Sequence, residues 1–329
     1  MLGASVQSGD AMGSFGRITS VKELPAKKTL VSYVRKAMAL NEAGIKKAVA
    51  VLADDLEDSQ FLYSPQSNLR RHNNPSEFAN IALGDEVVDV VCSSYEDASG
   101  KRTERYGLCD EQARLNINTV DRETLARLML DVLSLTTDGA KKLAESVVDW
   151  RDYGRHEAEG FFSDDYYANL EHPYQMKERD FERMDELLLV KGFNGGIYEK
   201  LYPYLTVYGD GRINVNTVSR KVLLALGIDP VLADKVLKAR SGPDGLDTTA
   251  DDHVFYRSFD IASEVNALVP LEEKEARQFD DLNARNMLTT SSMVYSAMSR
   301  VHSSTEDPKR TIRIVFNALT NKIEYWHEK

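Results

Sequence analysis

A four-residue pattern occurs twice in this 329-residue chain, as Asn116-Ile117-Asn118-Thr119 and as Asn214-Val215-Asn216-Thr217. The positions that follow also correspond: Leu125, Leu128, Ala144 and Arg151 after the first copy, Leu223, Leu226, Ala233 and Arg240 after the second. Self-similarity of this kind points to a duplicated supersecondary unit. The apolar positions keep helical spacing, so each unit is predicted to be a small helical module. Each Asn/Thr cluster stands where a strand gives way to a helix. There, short polar side chains accept hydrogen bonds from the unpaired N–H groups of the first turn. Each copy then reaches an acidic helix start, Met184-Asp185-Glu186-Leu187 in one and Phe259-Asp260-Ile261-Ala262 in the other.

Strand signals bracket this helical middle. Glu86–Glu96 and Arg102–Asp110 alternate as a hairpin, and Met293–Val301, Thr311–Ala318 and Lys322–Trp326 repeat the signal near the C-terminus. Ahead of them, Leu30, Val34, Ala37, Leu40, Gly44, Ala48, Leu52 and Leu56 fall on one face and predict a helix from Lys28 to Asp58, about 45 Å long at 1.5 Å per residue. Ser59 to Gly84, with Pro65 and Pro75, reads as a connecting loop. Trp150 and Trp326 sit in apolar settings and are expected in the core. The pattern as a whole is α+β.

The two cysteines, Cys92 and Cys109, fall opposite each other if the hairpin turns at Gly100-Lys101. They would form a non-hydrogen-bonded pair with Cα atoms about 4.5 Å apart, within reach of a disulfide. Two readings stay open, a bridge and a pair of buried thiols. A bridge would imply an oxidising compartment such as the periplasm.

Charge and motif content narrow the function. With 41 basic and 52 acidic residues the net charge is −11, which disfavours a general phosphate-backbone binder. The turns inside the two modules, Ser134-Leu135-Thr136-Thr137-Asp138 and Gly227-Ile228-Asp229-Pro230, resemble helix-hairpin-helix turns but carry an Asp where an anion would bind. No H-E-x-x-H, G-x-S-x-G, Walker loop or Cys/His zinc spacing occurs, so no active site is nominated. No window holds the roughly 20 apolar residues of a membrane span, and Met1 to Lys27 reads as a flexible leader. One loop stands out, Gly242-Pro243-Asp244-Gly245-Leu246-Asp247-Thr248-Thr249-Ala250-Asp251-Asp252. Asp244, Asp247, Asp251 and Asp252 could supply the oxygen ligands that calcium prefers, against the alternative of a solvated acidic turn. A second acidic cluster, Asp164-Asp165-Tyr166-Tyr167, is expected to anchor a loop on the helical core through its aromatics.

Several segments, in order, resemble the minor pseudopilin K family of type II secretion systems (general secretion pathway protein K). Asn41-Glu42-Ala43-Gly44-Ile45-Lys46-Lys47-Ala48 resembles the end of its helix. Tyr106-Gly107-Leu108-Cys109-Asp110-Glu111 with Leu115-Asn116-Ile117-Asn118-Thr119 resembles its strand-to-helical junction. Asp165-Tyr166-Tyr167, Asp185-Glu186-Leu187-Leu188, Ile213-Asn214-Val215-Asn216-Thr217 and Ile323-Glu324-Tyr325-Trp326 follow. The resemblance runs from about residue 38 to the end. It implies a pilin-like domain, a long helix on an antiparallel sheet, with a large all-α insertion of two SAM-like, helix-hairpin-helix-like modules. The expected division is a leader at 1–27, helix and first strands at 28–118, modules at 119–206 and 207–283, and closing strands at 284–329.

What the resemblance further implies is a non-enzymatic cap of the pseudopilus, partnered by minor pseudopilins I and J, with the major pseudopilin as a further expected partner, on the periplasmic face of the inner membrane. The family is also one that binds calcium. The helix face around Leu40, Gly44, Ala48 and Leu52 is the expected partner surface, its alternative being contact with the chain's own sheet. Family members begin with a short leader, a peptidase site and an apolar membrane helix, none of which precedes Leu30; the expectation is a sequence lacking its anchor, or a soluble paralogue. Two other classes compete: a helix-hairpin-helix nucleic-acid binder, and a minor pilin of a type IV pilus or competence system.

Overall fold

The computed structural model describes residues 44–47, 50, 73–83, 86–96, 101–152, 165–302, 310–320 and 322–328. The predicted helix is represented by 44–47 and 50, which are helical; its other residues, including Leu40, Ala48 and Leu52, and the leader 1–27 lie outside the described residues. A single helical turn, α1 (Pro75–Phe78), precedes the strands β1 (Ile81–Leu83), β2 (Glu86–Glu96), β3 (Arg102–Tyr106) and β4 (Cys109–Asp110). The chain then leaves the sheet for a long helical region and returns as β9 (Val294–His302), β10 (Arg310–Asn317) and β11 (Lys322–Glu328).

These strands build one seven-stranded antiparallel sheet in the order β1-β2-β9-β10-β11, with β3 also pairing β2 and β4 also pairing β9. One face carries Val88, Val90, Ala297, Ile312, Ile314 and Phe316, all buried, and Ile45 packs on it. Gly44 lets the backbone approach closely: a Cβ there would stand 2.6 Å from Ser299 Oγ and 2.7 Å from a Val88 methyl carbon. Gly44 therefore spends its face on the chain's own sheet, not on a partner.

The hairpin register differs from the sequence expectation. Cys92 lies opposite Arg105, not Cys109, and the register shifts between Cys92 and Tyr95. The predicted second strand is two pieces, interrupted at Gly107, where φ is +152°. β2 runs beside β9 as far as Val91 opposite Met298, then departs, and β4 takes its place with Cys109 opposite Ser296. Cys92 and Cys109 are joined by a disulfide, with Cα atoms 5.2 Å apart. The bridge ties the strand that leaves β9 to the strand that replaces it.

Between β4 and β9 the duplication is visible in three dimensions. The first unit opens on β5 (Leu115–Asn116), runs through α2 (Arg122–Leu133), α3 (Thr137–Arg151), α4 (Asp165–Ala168), a 3-10 turn at Met184–Leu189 and α5 (Gly195–Leu201), and closes on β6 (Leu205–Thr206). The second opens on β7 (Ile213–Asn214), runs through α6 (Arg220–Ala225), α7 (Pro230–Arg240), α8 (Ile261–Leu268) and α9 (Glu273–Ala284), and closes on β8 (Leu288–Thr289). In each, opening and closing strands pair in parallel: Leu115 with Leu205, and Ile213 with Leu288. Chain thus enters and leaves each unit at one point. Leu125, Leu128, Leu223 and Leu226 are buried in one apolar core that spans both units, together with Trp150. Trp326 departs from expectation. It stands on β11 at the sheet's margin and is 41% exposed.

Candidate functional site

The site of interest is where the helical region is fastened to the sheet, because an inserted mass can act mechanically only if its attachment is stiff. Three consecutive residues after the disulfide make that attachment. The Asp110 carboxylate accepts from Asn214 Nδ2 at 2.8 Å and Thr217 Oγ1 at 2.6 Å, both in the second unit. Its other oxygen caps a 3-10 turn by accepting the Gln112 N–H at 2.7 Å. Glu111 accepts from Thr206 Oγ1 of β6 at 2.6 Å, from Ser296 of β9, and faces Arg114 at 3.3 Å. Gln112 donates from Nε2 to Asp210 Oδ1 and accepts at Oε1 from Ser292 Oγ and the Met293 N–H. One tripeptide therefore holds both units and the returning strand.

The two anions are tuned in opposite directions. Burial pushes the Asp110 carboxyl up from the ordinary value, and its hydrogen bonds to Ser292, Thr217, Asn214 and the Gln112 backbone only partly offset this. Burial also acts to raise Glu111, but the positive charges of Arg114 and Arg313 and the bonds from Ser296 and Thr206 outweigh it and hold the carboxyl below the ordinary range. A buried carboxylate with two neighbouring guanidinium groups and satisfied oxygens is a fixed charge; one held by neutral donors alone carries its desolvation cost.

The repeated residues carry equivalent contacts. Asn118 bonds in both directions with the backbone of Phe181, and Asn216 does the same with Phe255; all four distances are 2.8–2.9 Å. Arg151 donates to the Ile117 and Val120 carbonyls, and Arg240 to those of Val215 and Val218. The Asn/Thr clusters thus do not cap the helices that follow. Those caps are Asp121, which accepts from the Thr124 N–H, and Ser219, which accepts from the Val222 N–H. At the hairpin turns, Thr136 Oγ1 and Asp229 Oδ1 receive the Gly139 and Val231 N–H groups. At each turn a backbone donor that a phosphate could use is thus taken by the chain's own side chain.

The acidic loop hangs from the second unit and is closed at its base by the His253 N–H on the Arg240 carbonyl, 3.0 Å. Within it Asp251 accepts the Asp244 N–H at 3.2 Å, and Thr249 Oγ1 lies 2.7 Å from Asp251 and 3.3 Å from Asp252. Asp252 also receives the Thr248 N–H at 2.6 Å. Asp247 turns inward, 3.6 Å from Arg240 Nε. The loop so places Asp251 and Asp252 beside Thr249, turns the Asp244 carboxylate onto the Leu246 N–H at 2.7 Å and sends Asp247 to the arginine. Burial first, and the neighbouring Asp247 charge among the lesser causes, push Asp252 up; the Thr249 hydroxyl holds Asp251 down. Among the described residues no three His, Cys, Asp or Glu side chains converge to hold a metal ion. Arg105 of β3 donates to Thr248 Oγ1 at 3.0 Å, which ties loop to sheet. In the other acidic cluster, Tyr167 is buried against Trp150, with ring centroids 5.5 Å apart, while Asp164 lies outside the described residues.

Residues 110–210 match the family profile described as type II secretion system (T2SS), protein K. Over this stretch the chain is similar to type II secretion system protein K. The match to protein K starts at Asp110 and ends at Asp210, residues bridged through Gln112. Protein K of Pectobacterium carotovorum is 33% identical over 95 residues, covering 28% of this chain and 29% of that protein. Protein K of Pseudomonas aeruginosa is 29% identical over 153 residues, covering 43% and 45%. The alignments therefore span less than half the length of these relatives. The fold matches a chain of the GspK-GspI-GspJ complex from enterotoxigenic Escherichia coli with a TM-score of 0.63 and 17% identity, over 92% of this chain and 99% of that one. Among the described residues no helix is long and apolar enough to cross a membrane.

Proposed function

We propose that this chain is a non-enzymatic minor pseudopilin that caps the pseudopilus of a type II secretion system, in complex with minor pseudopilins I and J. The observation that carries the reading is the buried Asp110-Glu111-Gln112 tripeptide, which fastens a two-unit helical insertion to an antiparallel sheet backed by a helix. In this reading the sheet and helix are the pilin-like domain and the two units are SAM-like modules. The helix joins the filament below, and the insertion denies a seat to any subunit above. A stiff attachment matters because a cap that swung aside would leave that seat open. The Cys92–Cys109 bridge suits the oxidising periplasm, where the protein would stand at the inner-membrane face. The solved GspK chain was found with GspI and GspJ, which supports the same two partners here.

The capping role has a direct readout. With the major pseudopilin overproduced, excess of this chain should give fewer and shorter pseudopili, and its deletion should give longer ones and stop export. An unchanged length distribution in both strains would sink the reading.

We further propose calcium at the acidic loop. The donors are carboxylate, hydroxyl and carbonyl oxygens, the set a hard cation takes. Burial, with the Asp247 charge as a lesser cause, raises the Asp252 carboxyl, and a cation bound there would offset that cost of the charged form. Because these carboxylates do not converge in the loop as it stands, calcium would have to draw Asp244 off the Leu246 N–H toward Asp251 and Asp252, with Asp247 able to join by leaving Arg240. The ion would supply charge neutralisation and loop closure, not chemistry. The melting temperature should fall on chelation and recover with added calcium but not with magnesium; a transition indifferent to chelator removes the site.

A further inference from the structure

Where the first unit meets the sheet's second face, a cavity of about 60 Å³ remains. On β10, Arg313 alternates with the buried Ile312 and Ile314 and so stands on this second face. Tyr325 of β11 lies opposite Val315 and shares it. Arg183 at the entrance to the 3-10 turn, Tyr198 of α5 and Tyr208 of the connector line the cavity from the other side.

The walls hold more donors than acceptors. Arg313 lies over the Tyr202 ring, 4.5 Å from its centroid, and among the described residues its guanidinium has neither a hydrogen-bond acceptor nor an ion-pair partner. The hydroxyls of Tyr198, Tyr208 and Tyr325 likewise meet no acceptor among the described residues. Burial pushes the phenols of Tyr198 and Tyr208 up, so both stay protonated donors. The anions present are committed elsewhere. Asp185 is gripped by Arg183 at 3.0 and 2.7 Å, and Glu111 by Thr206, Ser296 and Arg114. Burial works against the Arg313 charge, and the attraction of Glu111 through space does not offset it. Arg114, Arg183 and Arg313 against Glu111 and Asp185 leave one positive charge over.

A guanidinium that has lost water without gaining an acceptor is costly. Water in the cavity would accept from the hydroxyls but leave the charge uncancelled. A carboxylate does both: its two oxygens match the planar guanidinium fork, and its single charge balances the surplus. A doubly charged phosphate or sulfate would overshoot.

The geometry points to a binding site for one small carboxylate, held by Arg313 and the hydroxyls of Tyr198, Tyr208 and Tyr325. Bound there, it touches sheet, first unit and connector together, and braces from outside the joint that Glu111 makes from within. The site stands independently of the capping role, which enters only where the source of the carboxylate is traced.

Thermal melts of the full chain in sodium acetate and in sodium chloride at equal ionic strength test it. Acetate should raise the melting temperature saturably, by about 2 °C over chloride. Arg313→Met should abolish the rise, and Tyr208→Phe, which keeps the ring, should weaken the apparent affinity about tenfold. Coincident wild-type curves overturn the site, and so does a rise that either variant keeps undiminished. Should Arg313→Met fold poorly, Tyr208→Phe decides alone. Association with purified minor pseudopilins I and J then traces the source. Acetate that competes with association assigns the carboxylate to an acidic side chain of a partner, and association indifferent to acetate assigns it to a free anion.

Discussion

The two helical units share their internal wiring but not their attachment. Inside each, an asparagine grips a distant phenylalanine backbone and an arginine at the end of the second helix returns to two carbonyls of the opening turn. Outside, they differ. Asn116 of the first unit donates to the Tyr208 and Gly209 carbonyls of the connector between units, whereas Asn214 donates to Asp110 beside the sheet. The first unit is held through Glu111, flanked by arginines, and the second through Asp110, which has neutral donors. The arginines diverge likewise. Arg151 lies against its neighbour Asp152, while Arg240 faces Asp247 of the acidic loop. Duplication preserves what each unit needs to fold, and the contacts that orient it are free to change.

That contrast predicts unequal costs at the attachment. Glu111→Gln leaves Arg114 and Arg313 without their buried anion and should cost about 3–5 kcal/mol. Asp110→Asn loses charge that was already penalised by burial, and should cost about 1–3 kcal/mol through the amide group turned toward donors. Urea unfolding measures both, and equal losses would break the distinction. The pH dependence sharpens it. Glu111 has a depressed folded-state value, so its contribution is present above the ordinary carboxylate range and disappears as pH falls through that depressed value. Asp110 has a raised one, so the folded form gains on acidification between the ordinary and raised values. Stability followed from neutral pH into acid should decline less in Glu111→Gln and more steeply in Asp110→Asn.

Within the units the costs should match. Arg151→Met and Arg240→Met each strand two buried carbonyls, at about 2–3 kcal/mol. Each also releases an anion, Asp152 at 24% and Asp247 at 5% exposure, so added salt should shrink the Arg151→Met deficit more than that of Arg240→Met. Asn118→Ala and Asn216→Ala each remove a reciprocal pair of backbone bonds and should cost about 1–2 kcal/mol, equal within error. A large gap between the asparagine variants would mean that the repeated sequence does not carry a repeated role.

Much of this architecture is legible in the sequence where side-chain type is forced by local geometry. β2 falls at the predicted Glu86–Glu96, and Arg151 and Arg240 stand at corresponding places because the same two carbonyls need the same donor. The Asn/Thr clusters read locally as helix caps, but the partners of Asn118 and Asn216 are Phe181 and Phe255, 63 and 39 residues away. The single-residue signals for the caps, Asp121 and Ser219, stood two residues beyond each cluster. The hairpin register is hidden by an irregularity near Cys92 and by the break at Gly107, beyond which β4 succeeds β2 along β9. Parallel pairs two residues long leave no periodicity. Glu111 carries no local mark of burial, because every group that satisfies it except Arg114 comes from a remote segment.

Association decides the central claim. Full-length chain mixed with purified minor pseudopilins I and J at micromolar concentration should sediment as one ternary complex containing one copy of each, and Glu111→Gln should weaken it in proportion to the orientation lost. Three separate species under the same conditions would contradict the account.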